Sequence, residues 1–262
     1  MNPIKLILQI ETVEDGKIGC RITDNSGTNY LNYFPVERTI ELKNENLLAD
    51  KIRSNYFQFE KIIRSAINGK IKINQIIHCV FIEDFPFLKD ADFFEFIRVD
   101  RRNNNLQITL HKTFIDNIYQ IYADGSFSSK TGKSGFGVII QTPNGNSKTF
   151  TESFNGGSNN LMELLAVTEG LKQLKSESTI RVNTDSRFVI RGLVQWVHFW
   201  RHNNWQTAHG HKVKFASEWV EIDALCENKL IEFKWIKGHS GHEEQCICHN
   251  LAKQSAISNY QT

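Results

Sequence analysis

The chain has 262 residues, 40% of them hydrophobic, with a formal net charge of +2, so it is long enough for two ordinary domains with a core in each. It contains no apolar run of about 18 residues, and no basic stretch followed by an apolar segment and a cleavage site follows Met1; a soluble, non-exported protein of the cytoplasm is expected. Five cysteines, Cys20, Cys79, Cys226, Cys246 and Cys248, form an odd set without framework spacing, which excludes a disulfide-stapled scaffold.

In chain order, Pro3–Glu11 and Lys17–Thr23 read as a strand pair, and Asn46–Asn68 as a helix. Ile73–Ile82, Phe93–Val99 and Leu106–His111 read as strands, the last two flanking the polar turn Arg101–Asn105. Residues 1–117 therefore predict a small α+β domain; they carry 16 Lys+Arg and 16 Asp+Glu, leaving 15 and 13 for residues 118–262. From there, strands are expected at 118–123, 135–141 and 147–154, with a turn at Pro143-Asn144-Gly145. A helix from Asn160, a strand at Thr179–Thr184, further helices, a strand at 230–236 and a last helix follow. This order predicts an α/β sheet.

Three carboxylates fall where such a sheet concentrates its chemistry. Asp124 closes the run 118–123 and Asp185 closes Thr179–Thr184, so both read as strand carboxyl ends, where open α/β sheets place their sites. Glu163 lies in the first turn of a helix that Ser158 or Asn159 can cap. Converging carboxylates repel, and a bound cation is the usual compensation; oxygen ligands suit Mg²⁺ or Mn²⁺. From Ser186 to Phe215 there is no acid, but there are Arg187, Arg191, Arg201, Lys212, Lys214 and four histidines, a one-signed stretch suited to phosphates.

Six blocks occur in order: Ala-Asp-Gly-Ser at 123–126, Asn-Asn-Leu-Met-Glu-Leu-Leu-Ala at 159–166, Asn-Thr-Asp-Ser at 183–186, Gln195-Trp196-Val197-His198, Trp-Ile-Lys-Gly-His-Ser-Gly-His at 235–242, and Leu251-Ala252-Lys253. Through them residues 118–258 resemble bacterial ribonuclease HI, the endonuclease that cuts the RNA strand of an RNA/DNA hybrid. The resemblance implies a ribonuclease H-like mixed five-stranded sheet with helices on both faces over 118–262, preceded by the smaller α+β domain. It also implies hydrolysis that leaves 5′-phosphate and 3′-hydroxyl ends, with Asp124 bridging two ions and Glu163 and Asp185 completing the leaving-group metal site. His239, in a loop between glycines, corresponds to a histidine that assists proton transfer or metal release.

The chain departs from the family at its fourth carboxylate, whose place is taken by His249. Imidazole suits Mn²⁺ better than Mg²⁺, so a ligating His249 predicts a preference for Mn²⁺. Three outcomes stay open: an enzyme with altered metal preference, a slow enzyme, and a hybrid-binding or scaffold protein that has lost cutting.

For the hybrid, the resemblance implies 2′-hydroxyl recognition by Asn160, Glu163 and the backbone at Gly125 and Ser126, and a DNA-phosphate pocket at Ser158 and Asn160, with Asn159 shared between capping and contact. Trp196, Trp200, Arg201, Lys212 and Lys214 match its basic protrusion, where at least one of Trp196, Trp200 and Trp205 is expected to be buried. Titration of the neighbouring histidines should weaken binding as pH rises. Residues 1–117 show no recognisable family motif, and their zero net charge argues against an independent grip on nucleic acid; a partner-binding or regulatory domain, with a protein as the partner, is expected there.

Overall fold

The computed structural model describes residues 3–67, 71–82, 85–207, 210–238 and 241–257. They form two compact units, Met1–Phe85 with His198–Lys214, and Pro86–Val197 with Phe215–Thr262.

The first unit is an antiparallel sheet of β1 (Pro3–Glu14), β2 (Lys17–Asp24), β3 (Gly27–Phe34), β4 (Thr39–Leu42) and β5 (Ile76–Ile82), in the order β4-β3-β2-β1-β5. Alternation along β1 buries Leu6, Leu8 and Ile10 on one face, which α1 (Leu47–Ser54) and α2 (Tyr56–Ile67) cover with Leu48, Ile52, Phe59 and Ile63. β3 and β4 escaped the sequence reading because asparagine and threonine interrupt their apolar pattern. The single helix expected over 46–68 is broken at Asn55, whose side chain turns back to donate to the Lys51 carbonyl (3.0 Å). Phe199 packs against this unit's core and meets Phe85 edge-on at 5.0 Å, which ties the segment His198–Lys214 to it.

The second unit carries a mixed seven-stranded sheet, ordered β10-β9-β8-β11-β12-β6-β7. Its elements are β6 (Phe96–Asp100), β7 (Gln107–His111), β8 (Tyr119–Ser128), β9 (Lys133–Gln141), β10 (Ser147–Asn155), α3 (Asn159–Gln173), β11 (Thr179–Thr184), α4 (Arg187–Arg191), a π turn over Gly192–Trp196, α5 (Val197–His202), α6 (Ala216–Leu225), β12 (Leu230–Trp235) and α7 (Glu243–Ile257). The expected five strands are present, with β8, β11 and β12 parallel. β6 and β7, expected in the first domain, instead extend this sheet: β6 pairs antiparallel with β12 from Phe96–Lys234 to Asp100–Leu230. The division between units therefore falls at Pro86 rather than at 117. Its cause is a pairing between strands more than a hundred residues apart, which no local pattern reveals.

The pleat places helices on both faces. Asp124 pairs with Gly137, and a side chain built on Gly137 would strike the Cys248 carbonyl of α7; the next residue, Gly125, faces α3.

Candidate active site

Asp124 is delivered by a gap in the sheet. β8 pairs with β11 only as far as Tyr122–Asn183, then continues as a hairpin with β9. Asp124 is therefore inside β8 rather than at its carboxyl end, and it sits where the parallel neighbour has already stopped. It is buried, its Oδ1 accepts from the Gly125 amide (2.8 Å), and its Oδ2 stands 2.8 Å from Nδ1 of His249 on α7. With Asp124 as a carboxylate, which can only accept, Nδ1 is the donor of this bond.

Glu163 arrives from the opposite face, in the first turn of α3. Ser158 caps that helix, its Oγ accepting from the Leu161 amide (3.3 Å), while Asn159 is spent elsewhere: its Oδ1 accepts from the Phe127 amide (2.8 Å) and ties the helix start to β8. Gly125 permits the approach, since a Cβ there would lie 2.3 Å from the Glu163 nitrogen. The Glu163 carboxylate accepts from the Ser186 hydroxyl, and that same oxygen accepts from the Val189 amide (3.3 Å) as the N-cap of α4. Ser186 was not singled out from sequence; its only signal was its place beside Asp185.

Asp185 follows the last residue of β11, and its carbonyl accepts from Trp235 Nε1 (3.0 Å). Gly238 closes over it, with room for a Cβ only 3.0 Å from Oδ2. A cleft of about 240 Å³ opens here, lined by Asp124, Asp185 and His249 together with Lys237, His242, Gln245, Cys246 and Asn250. Gln245 is buried there; its Nε2 reaches the Ala123 carbonyl (3.4 Å) and its Oε1 has no hydrogen-bond partner among the described residues.

Electrostatics couples the three carboxylates. Burial pushes Glu163 up to about 7 against the lowering effect of the Ser186 bond, and the charges of Asp185 and Asp124 raise it further. Among the described residues no three His, Cys, Asp or Glu side chains form a ready-made metal-holding group; Asp124 is turned to His249, and Glu163 to Ser186. The donor chemistry still fits a hard divalent cation, because three mutually repelling carboxylates, one of them raised by its neighbours, gain from a cation between them.

His239 lies outside the described residues. Gly125, Ser126, Ser158, Asn159, Asn160 and Trp196 belong to the second unit, whereas Trp200, Arg201, Lys212 and Lys214 belong to the first. None of Trp196, Trp200 and Trp205 is buried, contrary to expectation; the buried indole is Trp219, which fills the space left by Gly192 and meets Phe188 at 5.3 Å. Burial, with Lys5 and Arg201 close by, holds His202 below the ordinary histidine range, so it supplies little positive charge at neutral pH.

The family described as RNase H matches residues 116–257. Ribonuclease H of Actinobacillus pleuropneumoniae serotype 5b is 39% identical over 139 residues, covering 53% of this chain and 90% of that protein. Ribonuclease H of Aliivibrio salmonicida is 36% identical over 137 residues, covering 52% and 87%. Among solved structures, LC9-RNase H1, a type 1 RNase H with the type 2 active-site motif, is 25% identical with a TM-score of 0.47, covering 55% of this chain and 74% of that one.

Proposed function

Because residues 116–257 place this chain in the RNase H family, we propose that it hydrolyses the RNA strand of RNA/DNA hybrids, with Asp124, Glu163 and Asp185 holding Mg²⁺ or Mn²⁺. The observation that carries this reading is the electrostatic coupling of three acids from β8, α3 and β11, with Asp124 and Asp185 lining one cleft. Divalent ions held there would supply water activation and stabilisation of the leaving 3′ oxygen, the chemistry that yields 5′-phosphate and 3′-hydroxyl ends. Asp124, held by the Gly125 amide, Glu163, oriented by Ser186, and Asp185, whose backbone Trp235 fixes, would be the residues that hold the ions.

With Nδ1 of His249 donating to an ionised Asp124, Nε2 is the nitrogen that would ligate, the arrangement in which a carboxylate orients a metal-binding imidazole. This supports a working enzyme that prefers Mn²⁺. The second reading, a weakened hybrid-binding or scaffold protein, draws on the same contact, since His249 occupies an oxygen of Asp124 that a metal would share. His239 is read as the proton-transfer or metal-release residue, and a partner-binding or regulatory role is kept for the part of residues 1–117 that belongs to the first unit.

A labelled RNA/DNA hybrid, a double-stranded RNA and a double-stranded DNA, each incubated with Mg²⁺ and with Mn²⁺ beside Asp124→Asn, test the proposal. Cleavage of the hybrid's RNA strand alone, lost in the variant, is expected. Tight hybrid binding without cleavage in either ion selects the scaffold reading, and cleavage of double-stranded DNA ends both.

A further inference from the structure

Beside Asp185, at the end of β12, the second unit carries a group of aromatic and cationic side chains of which the catalytic reading uses only the Trp235 indole N–H. The 3₁₀ turn Asp90–Phe94 buries Phe93 completely and thereby points Phe94 outward, 64% exposed. Phe94 meets Trp235 edge-on at 5.6 Å, and that indole also holds the Asp185 carbonyl. The Arg187 guanidinium lies 4.3 Å from the Trp235 ring and 4.9 Å from Phe93, and Arg191, one helical turn on, lies 5.2 Å from Phe93. Both arginines, about a third exposed, share one counter-ion, Asp90, at 3.6 and 2.7 Å; its own side chain is 78% exposed. The other acid of the turn, Asp92, is engaged by the Lys89 amide (2.6 Å).

An outward-facing ring beside guanidinium planes held flat by other rings offers a stacking surface already ordered for a polyanion. Aromatic faces flanked by cations, with a counter-ion in water that phosphate can displace, have the chemistry that receives unstacked bases and their backbone. A duplex keeps its bases stacked and offers nothing to such faces; a single strand does.

We propose that Phe94, Trp235, Arg187 and Arg191 form a platform for single-stranded nucleic acid adjoining the hybrid, so that a hybrid with an unpaired tail binds better than a blunt one. The inference rests on the hybrid-cleaving reading above. A strand lying over Asp185 meets the platform directly, because Trp235 touches both. Asp90 acts as a stand-in for the strand's phosphate.

The test compares a short blunt RNA/DNA hybrid with the same duplex bearing, at each of its four ends in turn, a tail of about six nucleotides, within the range of single-strand sites. A fifth tail of abasic phosphate linkers controls for added charge. For at least one tail with bases, wild-type affinity is expected to rise about tenfold over the blunt duplex, as stacking of one or two bases allows, and not with the abasic tail. Phe94→Ala should abolish that gain while leaving affinity for and cleavage of the blunt hybrid unchanged, which shows the fold intact. Asp90→Asn should move the other way, binding the tailed hybrid more tightly with a steeper salt dependence, whereas a purely structural clamp predicts weaker binding. Equal affinity for blunt and tailed hybrids, or a gain that survives Phe94→Ala, overturns the platform. Failure of the wild type to cut the blunt hybrid overturns the catalytic reading instead.

Discussion

Nδ1 of His249 stands 2.8 Å from Oδ2 of Asp124, so the histidine read from sequence as standing in place of a fourth acid is hydrogen-bonded to one of the acids proposed to hold the cations. A neutral nitrogen ligand favours Mn²⁺ over Mg²⁺. Relative cleavage should therefore be faster in Mn²⁺, and His249→Asp, which restores an oxygen ligand, should shift the ratio toward Mg²⁺. His249→Ala should lose about 10- to 100-fold in activity, the usual effect of removing a residue that orients or completes a metal site. Steady-state kcat/KM in the two ions checks this; full activity of His249→Ala would remove the ligand role.

Glu163 gives a pH signature in the metal-free protein. Burial raises its pKa in the folded protein to about 7, well above the ordinary glutamate value, so its favourable contribution is fully present below the unfolded value and is lost as pH rises through about 7. Glu163→Gln, which never ionises, should stabilise the protein relative to wild type at pH 8 in EDTA and make little difference at pH 5. Urea midpoints at the two pH values measure it, and added Mn²⁺ should restore the wild type alone. Ser186→Ala removes a bond that lowers this pKa, so the transition should move to higher pH, with about 1 kcal/mol lost from the uncapped α4. A variant whose transition stays in place would show that the hydroxyl does not bear on Glu163.

The acids of the site were legible because each is attached to a strong local signal: Thr179–Thr184 was read with the observed bounds, and α3 begins at the expected cap. Gly125 and Ser186 act through neighbours far along the chain, so their roles appear only once β8, α3 and β11 are assembled. The same limit explains the sheet. The strands expected over Phe93–Val99 and Leu106–His111 form as Phe96–Asp100 and Gln107–His111, with Phe93 and Phe94 in a 3₁₀ turn, but their attachment to β12 rests on a pairing and on Glu232, which no nearby residue announces.

Gly125 provides a test of the close packing that brings Glu163 to the site. An alanine Cβ would fall 2.3 Å from the Glu163 nitrogen and 2.6 Å from Met162 Cβ, both in the rigid first turn of α3, so β8 and the helix must separate. Overpacking of this kind costs about 1–3 kcal/mol. Gly125→Ala should thus lower the unfolding midpoint and also displace Glu163, reducing kcat more than the stability loss alone explains when measured where the variant is fully folded. Wild-type kcat would show that α3 can shift without moving the carboxylate.

Glu232 holds the added strands to the rest of the second unit. It is fully buried in β12, accepting from Arg98 Nε of β6 (2.7 Å) through one oxygen and from Arg181 Nε of β11 (2.7 Å) through the other. Arg181 in turn donates to the Ile115 carbonyl (2.6 Å) and lies over the Phe114 ring at 4.8 Å, so one carboxylate links β6, β11 and the segment entering β8. Removing it leaves two guanidinium groups without their anion, and breaking a buried pair from one side costs about 3–5 kcal/mol. Glu232→Ala should show a loss of that size by urea unfolding. Replacing Glu232 and Arg98 together by apolar residues of similar volume should recover part of it, since fewer unmatched charges then stay buried. A loss within about 0.5 kcal/mol for Glu232→Ala, the usual range for surface substitutions, would mean that strand pairing alone carries the attachment.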